Sequence, residues 1–346
     1  MKFPRITIAL DMAGCPNRCK HCWLGHSPNG HLTPDDLTRA AALFRPFAEK
    51  LTVYDWSREP DYTDDYRQRW EMCNQLSDGE RDHFELISVW RMARDPGYAP
   101  WLYSLGLRAA QLTLFGGQEK TDYYTGRKGA YSDILHAIET LLAHGMAPRL
   151  QVFVNKDNIG ELPLIDRLID DLDLPRRCAA IGQEFTFFLH QGSCDGENEK
   201  LYPIRVTPED LERIPPRLAD MSLRHWQAEN LQQVFGQTEA ELCAQLSCSA
   251  DTENLATDEP VLYIDKNFDV SPHFGSMEPA WRLGNLEKDG AEAILRNFSG
   301  NNTPAQRARL ITPLGQMVTA IGDPSSQRLF DKDDFIQYVL NNYCRQ

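Results

Sequence analysis

The sequence has no run of about 18 consecutive apolar residues, so no segment of it reads as a membrane-spanning helix. Positive charge is scarce as well. Lys plus Arg number 36 against 50 Asp plus Glu, a net charge of −14 over 346 residues. That balance argues against nucleic acid as the main partner, because polyanions are bound by clustered Lys and Arg that release counterions, although a local basic patch is compatible with it. The acidic excess is read as a solubility device. Short repeats and low-complexity tracts are missing too. The opening residues Met1-Lys2-Phe3-Pro4-Arg5-Ile6-Thr7 lack the apolar stretch of a signal peptide. Nine cysteines in such a chain therefore read as reduced thiols or metal ligands rather than a disulfide framework. The expectation is a cytoplasmic protein with neither a membrane nor a nucleic-acid partner.

What is present is a sizeable apolar fraction, 42 %, and an alternation of strand and helix signals. Strands are expected at Ile6 to Leu10, Leu51 to Tyr54, Phe84 to Val89, Ala110 to Phe115, Leu150 to Val154 and Phe185 to Leu189. Between them lie helices. One opens on Thr33-Pro34-Asp35-Asp36 and is expected to run to about Lys50. Another is capped by Ser132 and stopped by Gly145, and a third spans Leu162 to Leu172. Such alternation implies βαβ units and a parallel sheet. The predicted fold class is α/β, a partial (β/α)6 TIM-type barrel over residues 1–205, with a smaller C-terminal α+β extension over 206–346. In either an open or a closed barrel, the loops after the strands' C-terminal ends build the active site.

The densest chemistry follows the first strand. Cys15, Cys19 and Cys22 form a C-x3-C-x2-C loop, three thiols on one Gly/Pro/Asn-containing turn beside Arg18 and Lys20. Bunched thiolates suit iron–sulfur clusters or zinc. Three cysteines leave one iron of a four-iron cluster without a protein ligand, which is an open site for a substrate or cofactor. Two plainer readings compete. His26 makes the run C-x3-C-x2-C-x3-H, a closed structural zinc site. The cysteines are otherwise simply buried core residues.

This loop, placed directly after a first strand, resembles the signature of the radical S-adenosylmethionine (SAM) superfamily. The resemblance implies a [4Fe–4S] cluster on the three cysteines, with SAM chelating the fourth iron. Reductive cleavage would then give a 5′-deoxyadenosyl radical that abstracts hydrogen from a substrate. His21 falls where that family often has an aromatic residue near the adenine. Trp56-Ser57-Arg58-Glu59-Pro60 follows the second strand, where the family has G-G-E-P. Glu59 and Pro60 match and would receive the amino group of SAM, while Ser57 and Arg58 replace the two glycines.

The stretch Gln111 to Ile165 is similar to the middle of SPASM-type radical SAM enzymes, which mature peptides and proteins. Thr113 falls near the SAM ribose or carboxylate, and Arg127 near the carboxylate. Gln151 and Asn155 are expected to point into the barrel if their strand alternates. His190, after the sixth strand, is a candidate proton shuttle, and Cys194 a candidate hydrogen donor. Ser88, Trp90, Arg91 and Arg94 are candidates for facing the cavity. So are the aromatics Trp101, Tyr103, Tyr123 and Tyr124, against the commoner use of aromatics as core.

Farther on, Leu262-Tyr263-Ile264-Asp265 and Phe268 to His273 resemble the hairpin opening a SPASM extension. His273 replaces its cysteine and Phe268 its turn glycine. The scaffold is therefore expected without auxiliary clusters, with a second metal at Cys243, Cys248, His273 and Cys344 as a side possibility. The resemblance favours a peptide or protein side chain as substrate and a reductant such as flavodoxin or ferredoxin. A small-molecule substrate is the alternative, and a non-catalytic Fe–S or zinc module the alternative of a different class.

Overall fold

The computed structural model describes residues 2–11, 14–24, 32–55, 59–79, 81–193, 196–272 and 278–346. Ser57, Cys194, His26 and His273 lie outside the described residues. No helix among the described residues is long and apolar enough to cross a membrane.

Two sheets carry the barrel region. In the first, β1 (Phe3–Leu10) pairs in parallel with β2 (Ala48–Asp55) on one side. In the second, β3 (Ala109–Leu114), β4 (Ala147–Phe153) and β5 (Thr186–His190) run parallel in that order. Period-two alternation sorts the second sheet's faces. Leu112, Leu114, Leu150, Val152, Phe187 and Leu189 point into a buried core. Gln111, Thr113, Gln151, Phe153 and His190 point the other way and line a cavity. The register sets Thr113 beside Gln151 and Phe153 beside His190.

The crossovers are helical. α1 (Pro34–Phe44) begins with a capping box in which the Asp36 amide donates to Thr33 Oγ1 at 3.3 Å and the Thr33 amide donates to Asp36 Oδ2 at 2.8 Å. It stops at Phe44, short of the expected Lys50, because Pro46 cannot continue the ladder and the chain tightens into a 3₁₀ turn. α2 (Tyr66–Leu76), α3 (Val89–Met92) and α4 (Tyr98–Ser104) join β2 to β3. α5 (Gln118–Thr125) and α6 (Ala130–Ala143) lead from β3 to β4. Ser132 sits inside the first turn of α6 rather than capping it. The Asp122 carboxylate does the capping, accepting from the amides of Gly129 at 2.7 Å and Tyr131 at 2.9 Å.

The expected third strand, Phe84 to Val89, is reduced to a single parallel bridge between Leu86 and Gln111. Ser88 diverts the chain, its Oγ accepting from the Arg91 amide at 3.0 Å and so starting α3. α7 (Leu162–Asp171) and α8 (Leu174–Ala180) precede β5.

Elements beyond residue 205 pack directly on this frame. After α9 (Pro208–Leu211), α10 (Pro216–Trp226) covers the open edge of β5. There Leu189 donates its amide to Ser222 Oγ at 3.1 Å, and its carbonyl accepts from Trp226 Nε1 at 3.1 Å. Beyond the short β6 (Gln237–Thr238), β7 (Val261–Ile264) adds in parallel to the free side of β1. It then turns back as a hairpin into β8 (Asp269–Pro272), with β9 (Gly284–Asn285) outermost. At the turn Phe268 takes a left-handed φ of 63°, the conformation glycine adopts most readily, with the Arg39 guanidinium 4.9 Å from its ring centre. A third core gathers the helices Glu239–Leu246, Leu314–Ile321 and Lys332–Cys344.

Candidate active site

The loop after β1 is pinned against α5 by its backbone. The Arg18 amide donates to the Thr125 carbonyl at 2.9 Å and the Lys20 amide to the Tyr124 carbonyl at 2.8 Å. Gly126, at φ 65°, allows this approach, since a Cβ there would lie 2.6 Å from the Arg18 carbonyl oxygen. So held, Cys15, Cys19 and Cys22 all line one cavity of about 390 Å³, and none of the three is in a disulfide. Burial pushes the Cys19 thiol well up, and Cys15, Cys22 and Glu59 add to the effect while Arg127 opposes it. A bound metal reverses this, because ligation stabilises the thiolate.

Glu59 stands across from the loop and is 7 % exposed. Its Oε1 accepts from Ser88 Oγ at 2.8 Å and the Trp90 amide at 3.1 Å. Its Oε2 turns to the cysteine loop, accepting from Asn17 Nδ2 at 3.3 Å and the Cys15 thiol at 3.9 Å. Burial raises the Glu59 carboxyl above its ordinary range, against the hydrogen bonds from Trp90 and Ser88. Asn17 Oδ1 in turn accepts from Arg127 Nε at 2.7 Å, and Arg127 also pairs with Asp133 at 2.7 Å. One amide thus bridges a carboxylate and a guanidinium on the cavity wall. Neither Asn17 nor Asp133 carries a sequence signal of its own. Asn17 was within reach only as a member of the C-x3-C spacer.

His21 is packed between Phe115, with ring centres 4.8 Å apart, and Phe153 at 4.4 Å. Burial, then the neighbouring His190, lowers its pKa to about 3, so the ring is neutral. Its Nδ1 is buried without a hydrogen-bond partner. An orphaned nitrogen lining a cavity is what a site short of its ligand shows. Thr113 and Gln151 line the same cavity, and Gln151 accepts from the Gln111 side chain.

His190 closes the far wall. Its Nδ1 accepts from the Gly192 amide at 2.8 Å, which places the proton of the neutral ring on Nε2. Burial, then Arg205, lowers its pKa to about 4.

Other candidates fall elsewhere. Asn155 is not on the cavity wall. Its Oδ1 accepts from the Asp157 amide at 2.9 Å and its Nδ2 donates to Tyr124 Oη at 3.0 Å, so it shapes the turn after β4. Arg91 turns away from the cavity to donate to the carbonyls of Asp61 and Tyr62 at 2.6 and 2.7 Å. Trp90, Trp101, Tyr103, Tyr123 and Tyr124 are not among the residues lining the cavity; among the described residues its rings are those of Trp23, Phe153, His21 and His190. Among the described residues no three His, Cys, Asp or Glu side chains converge closely enough to hold a single metal ion. Cys243 is buried, Cys344 half-buried and Cys248 exposed, and they likewise form no such group.

Comparison with known proteins agrees with this geometry. Residues 10–164 match the Radical SAM superfamily model. A stretch of 84 residues, 24 % of this chain, is 30 % identical to Fe-coproporphyrin III synthase of Methanosarcina barkeri (strain Fusaro / DSM 804), and spans 21 % of that enzyme's length. Native anSMEcpe with bound AdoMet shares the fold over 99 % of this chain and 100 % of its own, at 14 % identity and a TM-score of 0.51. The structure of anSMEcpe with AdoMet and the Kp18Cys peptide matches over 99 % of each chain, at 13 % identity and a TM-score of 0.51. At these identities the likeness is one of fold, and it is a partial barrel of parallel strands and helices.

Proposed function

We propose that this chain is a radical SAM enzyme, its residues 10–164 matching that superfamily's model, and that it carries a [4Fe–4S] cluster and modifies a peptide or protein side chain. When bound, the cluster and SAM supply one-electron cleavage to methionine and a 5′-deoxyadenosyl radical able to take a hydrogen atom from the substrate. The observation that carries the reading is the placing of three thiols and an Asn17-bridged Glu59–Arg127 pair on one cavity.

Each residue has a role in it. Cys15, Cys19 and Cys22 would hold three irons as thiolates. Glu59 Oε2, turned to the loop, would accept from the cofactor's ammonium, and Arg127 would donate to its carboxylate. His21 and Phe153 offer ring faces for the adenine, with Thr113 and Gln151 as hydrogen-bonding groups beside them. Leu86, Ile87, Val89 and Ile134 complete an apolar lining that keeps water and stray hydrogen donors out. His190 holds its proton on Nε2 and acts as a donor to a substrate carbonyl oxygen rather than as a base.

The fold shared with anSMEcpe, one structure of which contains a peptide, supports the peptide reading. The local identity with an Fe-coproporphyrin III synthase supports the small-molecule alternative. A flavodoxin or ferredoxin as reductant and a reducing, cytoplasmic setting belong to the same proposal. So does the division into a barrel over 1–205 and an extension over 206–346.

The test is anaerobic. Reconstituted and reduced protein is given SAM, and 5′-deoxyadenosine is measured by mass spectrometry, with deuterium-labelled peptides as hydrogen donors. Release of 5′-deoxyadenosine carrying peptide deuterium is expected. A cluster-loaded protein that leaves SAM intact contradicts the proposal.

A further inference from the structure

Behind Glu59 runs a buried chain of hydrogen bonds whose proton directions are fixed link by link. Ser88 Oγ accepts from the Arg91 amide at 3.0 Å, so its own proton goes to Glu59 Oε1 at 2.8 Å. The Ser88 amide donates to Tyr98 Oη at 3.1 Å. That leaves the Tyr98 proton for Asp61 Oδ2, 2.5 Å away. The same Oδ2 faces His83 Nε2 at 2.9 Å. His83 Nδ1 lies 2.7 Å from the carbonyl oxygen of Phe84, which can only accept. Both ring nitrogens therefore donate, and His83 is an imidazolium.

Two further features mark this chain as more than packing. Asp61, two residues after Glu59, has a left-handed φ of 52°, a strained conformation for a residue with a side chain. The strain is held by contacts on both sides, His83 and Tyr98 on the carboxylate and Arg91 Nε on the carbonyl at 2.6 Å. The His83 ring is walled by Trp70 of α2, with ring centres 5.2 Å apart, and Trp101 of α4, at 5.5 Å. Water therefore has little access to the pair, and the ion pair is not the weak kind found on surfaces.

We propose that His83 is a positioning residue for SAM, acting through Asp61, Tyr98 and Ser88 to fix the Glu59 carboxylate that receives the cofactor's amino group. This rests on the reading of Glu59 given under Proposed function. The protonated ring holds Asp61 in its strained conformation. Asp61 holds the Tyr98 hydroxyl, and Tyr98 and Ser88 commit Glu59 Oε1, leaving Oε2 for the ligand.

The titratable and charged groups around the ring are Asp61, Asp55 at the end of β2, whose carboxyl burial and then Asp61 raise to about 7 so that it ionises within the same pH range, and Arg81, which stacks on Trp70 at 4.4 Å. α4 presents no charge to it, only Trp101 and Tyr98. Burial opposes the charge on His83, but the bond and charge of Asp61, the Phe84 carbonyl and Asp55 outweigh it and raise the pKa above the ordinary value. The protonated latch is therefore intact on the acidic side and is lost as pH rises through that raised value.

The experiment measures SAM dissociation constants by equilibrium dialysis on cluster-loaded protein at about pH 6 and about pH 9. Wild type, His83→Gln and Tyr98→Phe are compared, with iron content and thermal melting as checks on folding. Tyr98→Phe keeps the His83–Asp61 pair and cuts its link to Ser88. Taking the ratio of variant to wild type cancels titration of the cofactor's own amino group. Both variants are expected to bind about tenfold more weakly than wild type at the acidic pH, and the ratio to fall toward one at the alkaline pH. A ratio that is the same at both pH values overturns the proposal, as does a ratio of one throughout. Wild-type protein that holds its cluster but binds no SAM at either pH overturns the Proposed function as well, and so separates the two failures.

Discussion

The two walls of the cavity are built in different ways. The wall of Cys15, Asn17, Cys19 and Cys22 comes from eight consecutive residues, clamped by backbone bonds to Tyr124 and Thr125. The facing wall of Thr113, Gln151, Phe153 and His190 comes from three strands whose register alone makes its members neighbours. The first wall carries the thiols, with the Glu59 carboxylate and the Arg127 guanidinium linked to it through Asn17, and is the wall proposed to hold the cofactors. The second is mostly neutral, with a tautomer-fixed histidine at its end. A local motif can set the reagent while the register of a sheet sets what the reagent meets.

Predictions follow from breaking one wall without the other. Cys19→Ala removes a thiolate from the cofactor wall and is expected to abolish cluster binding, read as loss of iron and of the brown chromophore on anaerobic reconstitution. Glu59→Gln keeps the shape but not the charge, and is expected to weaken SAM binding by about 10- to 100-fold, the range of a lost charge-assisted bond. His190→Phe strikes the far wall. Substrate turnover should fall about tenfold while the SAM dissociation constant and the iron content stay at wild-type values.

His190 also gives a pH prediction. Its folded-state pKa of about 4 lies below the ordinary histidine value, so the unfolded chain takes up the proton more readily. The neutral ring costs nothing above about pH 6.5, and stability falls as pH drops from there toward 4. The melting temperature of His190→Phe should decline less over that window than that of wild type. The smallest effect is outside both walls. Thr33→Ala removes the α1 cap and should cost about 1 kcal/mol of stability with no change at the site, measured by denaturant titration.

The difference between the walls also explains what was legible in the sequence. The cysteine spacing, the Glu59-Pro60 pair and the strand–helix alternation are local patterns, and in the fold Cys15, Cys19, Cys22, Glu59 and Pro60 line one cavity beside the parallel strands. Asn155 was misplaced because alternation was carried past the end of β4, where the Asx turn takes over. Phe84 to Val89 reads as a strand by its apolar content, but the Ser88 cap competes for the backbone and wins after one bridge. Of the aromatics that could have lined the cavity, Trp101 takes the commoner core role, packing with Tyr98 and Trp70 around His83. The Asp61–His83 contact spans 22 residues and has no spacing signature, so only the folded chain brings it together. Trp226 and Ser222, which close the edge of β5, lie past the expected boundary at 205 and carry no pattern that ties them to that strand.

The most direct measurement of the central claim is electron paramagnetic resonance of anaerobically reduced protein before and after SAM is added. A reduced-cluster signal whose shape changes on addition of SAM is expected, because the cofactor would occupy the iron that Cys15, Cys19 and Cys22 leave open. A cluster signal that SAM leaves unchanged at saturating concentration would contradict the account.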